Sequence, residues 1–257
     1  MLRFFRKRKG MSQEALGARI GFSKSQVAMV ESGHRPPKGN FTPNADVELG
    51  AQGVLLEVAE EEFGDSTVVP PWTEDYLAEE KQASVIYAYQ THVVPGLLQT
   101  PEYARAVFNC NYCPPWDDDE IERQVAKRVK RQELFSRKPA PVTSFVLEES
   151  ILNRPIGGRD VLKRQLHSIL EIGRLRHVEV QVVPHGRETH AGLNGPMILL
   201  ETASRHQLVY VEGQGGGYFV SEQPDVANMF GVYGILRTQA HNSEKSAQII
   251  EKAADAL

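Results

Sequence analysis

The sequence has few cysteines and no long apolar run, and each absence excludes a class of protein. Two cysteines in 257 residues are too few for a disulfide framework. No stretch approaches the roughly 18 apolar residues that a membrane-spanning helix needs. The basic segment at residues 1–9 is not followed by the apolar run and small-residue cleavage site of a secretory signal. We therefore expect a cytoplasmic protein that does not enter a membrane.

Positive charge is concentrated at one end of the chain. Residues 1–40 contain nine Lys or Arg and two acidic residues, whereas residues 41–80 contain eleven acidic residues and no Lys or Arg. The whole chain has a formal net charge of -4, so its basic character is confined to the first forty residues. This distribution favours contact between that end and a polyanion such as nucleic acid.

Two regions with different periodicity predict two domains. Residues 1–63 carry apolar residues at helical spacing between tight turns, which predicts an all-α domain. Residues 64–73, which end in a Pro-rich stretch, predict a linker. In residues 74–257, helical segments such as residues 117–136 alternate with strand patterns such as residues 178–182, where one face is expected to be solvated. This second region predicts an α+β domain with a mixed β-sheet.

A helix-turn-helix pattern lies inside the basic region. Ser12 and Ser23 suit the N-caps of two short helices, and Gly21 between them suits a turn with positive φ. Apolar residues on both helices are spaced to close a small core beneath the second helix. These residues are Leu16, Ile20, Val27 and Val30. A second helix that protrudes from such a core enters the major groove of DNA by its N-terminal end.

Residues 11–37 resemble the Xre/Cro-repressor type of helix-turn-helix, in which Ser/Thr-Gln-x-x-Leu-Ala-x-x-x-Gly-x-Ser is followed by Glu-x-Gly-x-Arg-x-Pro. The matching positions are Met11, Ser12, Gln13, Leu16, Gly21, Ser23, Val27, Val30, Glu31, Gly33, Arg35 and Pro37. The sequence departs from the family at Gly17, where alanine is usual. Glycine there is expected to loosen the first helix by roughly 1 kcal/mol. The resemblance implies a transcriptional regulator that binds a specific DNA sequence.

The resemblance also implies a recognition helix over about residues 23–32 and a set of DNA contacts. The implied DNA-binding residues are Gln13, Ser23, Lys24, Ser25, Ala28, Met29, Arg35 and Lys38. Lys24 reaches guanine acceptors, whereas Ala28 and Met29 make only apolar contacts, for example with a thymine methyl group. Phosphate contacts come from Gln13, from the N-cap serine and from the two cations beyond the helix.

The rest of the chain resembles a second known type of domain. The most specific run is Pro-Gly-Leu-Leu-Gln-Thr at residues 95–100, and further runs lie at residues 154–158, 180–184, 190–196 and 209–213. These runs resemble the uncharacterised C-terminal domain that follows Xre-type motifs in many actinobacterial regulators. Such regulators are often encoded beside a very small partner protein and are described as antitoxin-like. The resemblance therefore implies a regulatory domain that binds a partner protein or a small ligand.

We expect a homodimer that places two recognition helices in successive major grooves of a pseudo-palindromic DNA site. Residues 74–257 are expected to supply the dimer contacts, since a domain of about sixty residues has little apolar surface to spare. The resemblance is compatible with a repressor or an activator. An alternative of another class stays open, namely an antitoxin-like interaction module that neutralises a small partner and regulates its own gene. Co-purification of a small protein would favour that alternative.

Two segments resemble ligand-binding motifs only in part. Cys110 and Cys113 form one C-x-x-C pair, but a structural zinc site needs four ligands and the chain has no further cysteine. The glycine-rich residues 213–217 lack the Lys-Ser/Thr of a phosphate-binding loop and predict a turn between strands. We expect no metal and no cofactor at either segment.

The carboxylates and histidines of the second region do not form a catalytic pattern. Glu148 and Glu149 are neighbours on a predicted strand, so they face opposite ways and suit acid/base chemistry poorly. His185 and His190 lie in a polar loop with no nucleophile nearby in the sequence, which is typical of solvated histidines. We therefore expect a regulator without enzymatic activity.

Overall fold

The chain folds into two compact units, Met1–Glu74 (unit 1) and Asp75–Leu257 (unit 2). A computed structural model describes residues 1–33, 37, 40–63, 71–110, 115–213 and 216–257, with the backbone alone at residues 60–63 and 71–74. Unit 1 is helical and unit 2 contains a mixed β-sheet with helices. The expected combination of an all-α helix-turn-helix domain with an α+β domain is confirmed. No helix within the described ranges is long and apolar enough to cross a membrane.

The described part of unit 1 consists mainly of five short helices around one apolar core. The helices are α1 (Leu2–Arg8), α2 (Gln13–Ile20), α3 (Lys24–Glu31), α4 (Phe41–Leu49) and α5 (Val54–Phe63). The buried core residues are Leu16, Ile20, Val27, Phe41, Ala45, Leu49, Ala51 and Leu55. Three of the four residues predicted to close the core are buried in it, and the fourth, Val30, is half-buried against the same cluster.

Local signals set the ends of α2 and α3. The hydroxyl of Ser12 accepts a hydrogen bond from the backbone N–H of Ala15 at 3.0 Å, and Gly21 ends α2 with a φ of 82°. The hydroxyl of Ser23 accepts from the backbone N–H of Gln26 at 3.2 Å, and the Gln26 side chain accepts from the Ser23 N–H at 2.8 Å. This reciprocal capping box satisfies two backbone donors at the start of α3. The predicted caps and the predicted glycine turn are confirmed.

Gly17 is buried where the turn packs on α2, so glycine has a packing reason there besides its expected cost in helix propensity. The backbone N–H of Phe22 donates to the Gly17 carbonyl at 2.8 Å. A Cβ added to Gly17 would lie 2.6 Å from the carbonyl oxygen of Phe22 and 3.2 Å from the carbonyl carbon of Ser23. Both neighbours are backbone atoms, which have little freedom to move away. Glycine at this position permits the close approach of the turn to α2.

We expect Gly17→Ala to lower the stability of unit 1 by about 1–3 kcal/mol, because overpacking against the turn outweighs the gain of roughly 1 kcal/mol in helix propensity. The matched control is Gly231→Ala, in a helix of unit 2 where nothing lies within 4 Å of the added Cβ. That change is expected to stabilise the protein by about 0.5–1 kcal/mol. Thermal unfolding followed by circular dichroism compares both variants with wild type. A higher melting temperature for Gly17→Ala would contradict the packing argument.

The described part of unit 2 combines six strands with helices. The strands are β1 (Ala83–Gln90), β2 (Val142–Glu148), β3 (Val178–Val183), β4 (Met197–Thr202), β5 (Gln207–Gly213) and β6 (Gly216–Val220). The helices are α6 (Pro71–Gln82), which begins in unit 1, α7 (Pro101–Phe108), α8 (Asp118–Lys130), α9 (Arg159–Ile172), α10 (Asp225–Gln239) and α11 (Ser243–Asp255). Short 3-10 turns cover Gly96–Leu98, Arg131–Ser136 and Glu149–Asn153.

The sheet has a parallel half and an antiparallel half, in the order β3-β2-β1-β4-β5-β6. β1, β2 and β3 are parallel neighbours, whereas β4 pairs antiparallel with β1 and β5, and β5 pairs antiparallel with β6. Parallel neighbours need crossover connections, which α7, α8 and α9 provide. On the face that α10 covers, Tyr233 and Leu236 pack in one cluster with Tyr89, Val146 and Val209. This cluster fixes α10 on the sheet.

Two helices differ from the prediction at their ends. The segment predicted as one helix over residues 117–136 ends as α8 at Lys130, and a 3-10 turn covers Arg131–Ser136. α6 begins at Pro71, inside the predicted linker, because proline suits the first position of a helix. Residues 64–70 of that linker lie outside the described residues.

The solvated face predicted for β3 is wrong at Gln181. Its side chain is buried, although β3 is an edge strand, because the end of α10 and the residues after it cover that position. The Gln181 amide donates to the carbonyl oxygen of His241 at 2.9 Å and accepts from Nε of Arg237 at 3.2 Å. Alternation of polar and apolar residues shows which residues share a face, but the residues that cover a face come from elsewhere in the chain.

Candidate nucleic-acid interface

The outer side of α3 carries the residues implied for base contacts. Ser23, Lys24, Ser25 and Met29 are exposed, and Ala28 is half-buried. On the inner side of the helix, Val27 is fully buried in the core of unit 1. The core therefore holds α3 by one side and leaves its N-terminal end and outer side at the surface, as entry into a major groove requires.

The cations of unit 1 differ in how far they are engaged within the protein. Arg19 forms an ion pair with Glu48, with Nη1 and Oε1 2.6 Å apart. Lys7, Arg8 and Lys24 are exposed and make no ion pair with any residue that the structure describes. Unpaired exposed cations are the groups that neutralise phosphates and release counterions. These three lysine and arginine side chains are available for that role.

A buried ion pair joins α3 to α1. The Glu31 side chain, at the end of α3, is completely buried, and its oxygens accept hydrogen bonds from Nε and Nη2 of Arg6 at 2.5 and 2.8 Å. Arg6 also donates from Nη1 to the carbonyl oxygen of Met11, just before α2, at 2.6 Å. One guanidinium therefore holds three segments of the helix-turn-helix in a single arrangement. Removing Glu31 would leave the Arg6 guanidinium buried without its carboxylate, which is costly. Removing Arg6 would leave Glu31 only the exposed Arg3, whose Nε lies 3.7 Å from Oε2 of Glu31.

Gln13 is part of the same buried network. Its Nε2 donates to Oε2 of Glu31 at 2.9 Å. Burial opposes ionisation of Glu31, but the hydrogen bonds from Arg6 and Gln13 outweigh that effect and hold the pKa of Glu31 below its usual value. The carboxylate is therefore charged at neutral pH. The phosphate contact implied for Gln13 stays a prediction, and the structure shows its amide bound to Glu31.

Sequence reasoning missed the structural role of Arg6 and counted it only within the basic excess. The spacing contained a signal for that role, since Leu2 packs against the core and Arg6 follows it by four residues on the same helical face. Glu31 was noted only as a matching position of the family pattern. Arg35 and Lys38 lie outside the described residues, so their implied phosphate contacts stay predictions.

Unit 2 brings together Glu148 and His190, which the sequence left unconnected. Nε2 of His190 and the hydroxyl of Tyr89 each lie 2.8 Å from Oε1 of Glu148, and Nδ1 of His190 accepts from the backbone N–H of Gly192 at 2.9 Å. The interpretation of His190 as a solvated loop histidine is wrong, because its side chain is only 11% exposed. These bonds clamp the loop between β3 and β4 to β1 and β2.

The partial ligand-binding motifs of unit 2 gain no partners among the described residues. Cys110 is exposed, and its Sγ donates to the carbonyl oxygen of Ala106 at 3.3 Å. Cys113 lies outside the described residues. Within the part of the chain that is described, no three His, Cys, Asp or Glu side chains are grouped so that they could hold a metal ion. β5 ends at Gly213 and β6 begins at Gly216, on either side of the predicted turn, whose residues 214–215 lie outside the described residues.

Models of known protein families match residues in each of the two units. A family model described as a helix-turn-helix matches residues 2–40. A second model, described as a domain of unknown function (DUF5753), matches residues 73–252. No curated protein and no solved structure matches the chain.

Proposed function

Because the chain belongs to the DUF5753 family and carries its domain of unknown function behind a helix-turn-helix, we propose that it is a cytoplasmic, sequence-specific regulator of transcription. The helix-turn-helix makes it a DNA-binding regulator in general. The observation that carries the specific proposal is α3, whose N-terminal end and outer side are exposed while its inner side is fixed by Val27 and Glu31.

Recognition is proposed to run through α3 in the major groove. Lys24 and Ser25, at the N-terminal end of the helix, donate to base edges, and Lys24 suits the acceptors of guanine. Ala28 and Met29, one turn further on, contact a thymine methyl group. The exposed cations of unit 1 contact phosphates and supply the salt-dependent part of the affinity. The buried Arg6–Glu31 pair contacts no base, but it fixes the angle at which α3 leaves the core.

Unit 2 is proposed to be a regulatory domain without enzymatic activity. It would join two copies of the chain into a homodimer, so that two copies of α3 meet a pseudo-palindromic site in successive major grooves. A small partner protein encoded nearby, or a small ligand bound by unit 2, would then set the affinity for DNA, with the protein acting as a repressor. The resemblance to antitoxin-like regulators supports this arrangement.

The test compares the affinity of the full chain for DNA from upstream of its own gene and for scrambled DNA across a salt series. Wild type is expected to bind the upstream DNA tightly, with a steep fall in affinity as salt increases. Lys24→Ala combined with Ser25→Ala is expected to weaken binding to the upstream DNA by about 10- to 100-fold, because base contacts are lost. Binding to scrambled DNA should change far less, since the other cations remain.

Lys252→Ala is the matched control, because it removes one exposed lysine from α11 of unit 2, outside the helix-turn-helix. It should bind both DNAs as wild type does. If wild type bound upstream and scrambled DNA with equal affinity at every salt concentration, the proposal that this chain alone recognises a specific sequence would be contradicted.

A further inference from the structure

Arg128 is a cation on α8 with no carboxylate partner among the residues that the structure describes. Its Nη1 donates to Oε1 of Gln99 at 2.9 Å, and its guanidinium carbon lies 4.1 Å from the centre of the Phe108 ring. Among the residues that the structure describes, no carboxylate lies within ion-pair distance of it. A guanidinium has five N–H donors, and within the described part of the chain one of those of Arg128 has a hydrogen-bond acceptor. Arg128 is half-buried, and an incompletely paired cation at a partly buried position is unusual in a folded protein.

Arg131, one turn further along the chain, has the carboxylate partner that Arg128 lacks among the described residues. Its Nε and Nη2 each donate to an oxygen of Glu80 at 2.8 Å, and its guanidinium lies beside the Tyr76 ring. Glu80 therefore compensates the charge of Arg131 and leaves that of Arg128 without a direct counterion. Burial, with repulsion from Arg131, lowers the pKa of Arg128 to about 10, and Glu212 and Glu80 offset this only through longer-range attraction. Arg128 stays charged at neutral pH.

The Pro-Gly-Leu-Leu-Gln-Thr run at residues 95–100 holds the Arg128 site in place. The buried Gln99 donates from its side chain to the Val94 carbonyl at 2.7 Å, and its own carbonyl accepts from Gln132 at 2.7 Å. Gln165 of α9 donates to the Leu98 carbonyl at 2.6 Å, and its side-chain oxygen accepts from the backbone N–H of Thr100 at 2.7 Å. The acceptor that orients Arg128 is thus fixed before any ligand arrives, which lowers the entropic cost of binding.

We propose that Arg128 binds the carboxylate or phosphate group of a small organic anion, which is the ligand of unit 2. The planar fork of a guanidinium matches both groups through two parallel hydrogen bonds. Phe108 and Trp116, whose ring centres lie 5.5 Å apart, form an apolar wall beside the cation for the uncharged part of the ligand. Anion binding supplies the countercharge that the described residues do not. The proposal depends on the regulator assignment only for its consequence, a ligand-dependent affinity for DNA.

The test uses the full chain with Trp72→Phe, so that Trp116 is the only tryptophan and reports on the site. Sodium phosphate and sodium acetate are titrated separately against sodium chloride at equal ionic strength, which separates the two anion chemistries. At least one of them is expected to change Trp116 fluorescence saturably. At ten times its Kd, that anion should raise the melting temperature by about 3–6 °C. Arg128→Met should lose both effects, whereas Lys130→Met, at an exposed position on the same helix, should keep them.

A second readout needs no ligand and no DNA. In sodium chloride, Arg128→Met is expected to melt at or above the temperature of wild type, because methionine keeps the apolar contact with Phe108 and removes the unpaired charge. A large drop in melting temperature, or anion effects that persist in Arg128→Met, would overturn the proposal, as would the lack of any saturable effect of either anion on wild type. Loss of specific DNA binding would leave these readouts unchanged, so the two proposals fail separately.

Discussion

Replacing Glu31 with alanine is expected to unfold unit 1 and so to abolish DNA binding. The substitution leaves the Arg6 guanidinium buried, with Gln13 also deprived of its acceptor. Breaking a buried pair by removing one partner costs about 3–5 kcal/mol. A domain of this size has a total stability of only a few kcal/mol, so the loss is comparable to the whole. Thermal unfolding by circular dichroism, together with binding to upstream DNA, measures both effects.

Two controls separate the buried pair from charge in general. Glu14→Ala removes an exposed acid from α2 and should melt close to wild type. The double variant Arg6→Met with Glu31→Leu replaces both charges with apolar side chains and should recover most of the lost stability, because no unpaired charge remains. If Glu31→Ala melted within about 2 °C of wild type, the Arg6–Glu31 pair would not be what holds α3 to α1.

Replacing Glu80 with alanine is expected to lower the melting temperature of unit 2 by roughly 10 °C. The Glu80 carboxylate is buried, receives two hydrogen bonds from Arg131 and a short one from the Tyr76 hydroxyl, and is the countercharge of Arg131. The loss of about 3–5 kcal/mol from a buried pair corresponds to that shift in a domain of this size. Trp116 fluorescence in the Trp72→Phe background follows the unfolding of unit 2.

Glu79→Ala is the matched control for Glu80→Ala, because it removes the neighbouring acid on the same helix and should change the melting temperature by less than about 2 °C. The comparison with Arg128→Met is also informative. Glu80→Ala leaves Arg131 without its partner and should destabilise, whereas Arg128 has no such partner among the described residues. Equal losses in the two variants would show that both arginines are structural cations and would remove the distinction between them.

The parts of the fold that were predictable from the sequence rest on contacts between residues close in the chain. The serine caps, the glycine turn and the apolar spacing placed α2 and α3, because a capping box and a left-handed turn involve residues three or four apart. A mixed sheet followed from the alternation of strand and helix patterns, and the exposure of Lys24 and Ser25 followed from the position of α3 on its core.

The sequence by itself determined where the helix-turn-helix begins, turns and ends, and which side of α3 faces outward, since periodicity and capping are properties of one short segment. Only the tertiary structure decided which polar groups are buried and with whom. Arg6 meets Glu31 across 25 positions and His190 meets Glu148 across 42. Arg128 pairs with no carboxylate of the described residues, although acids are near it in the chain. Such partners are chosen by the packing of distant segments, and burial then makes each pairing, or its absence, energetically decisive.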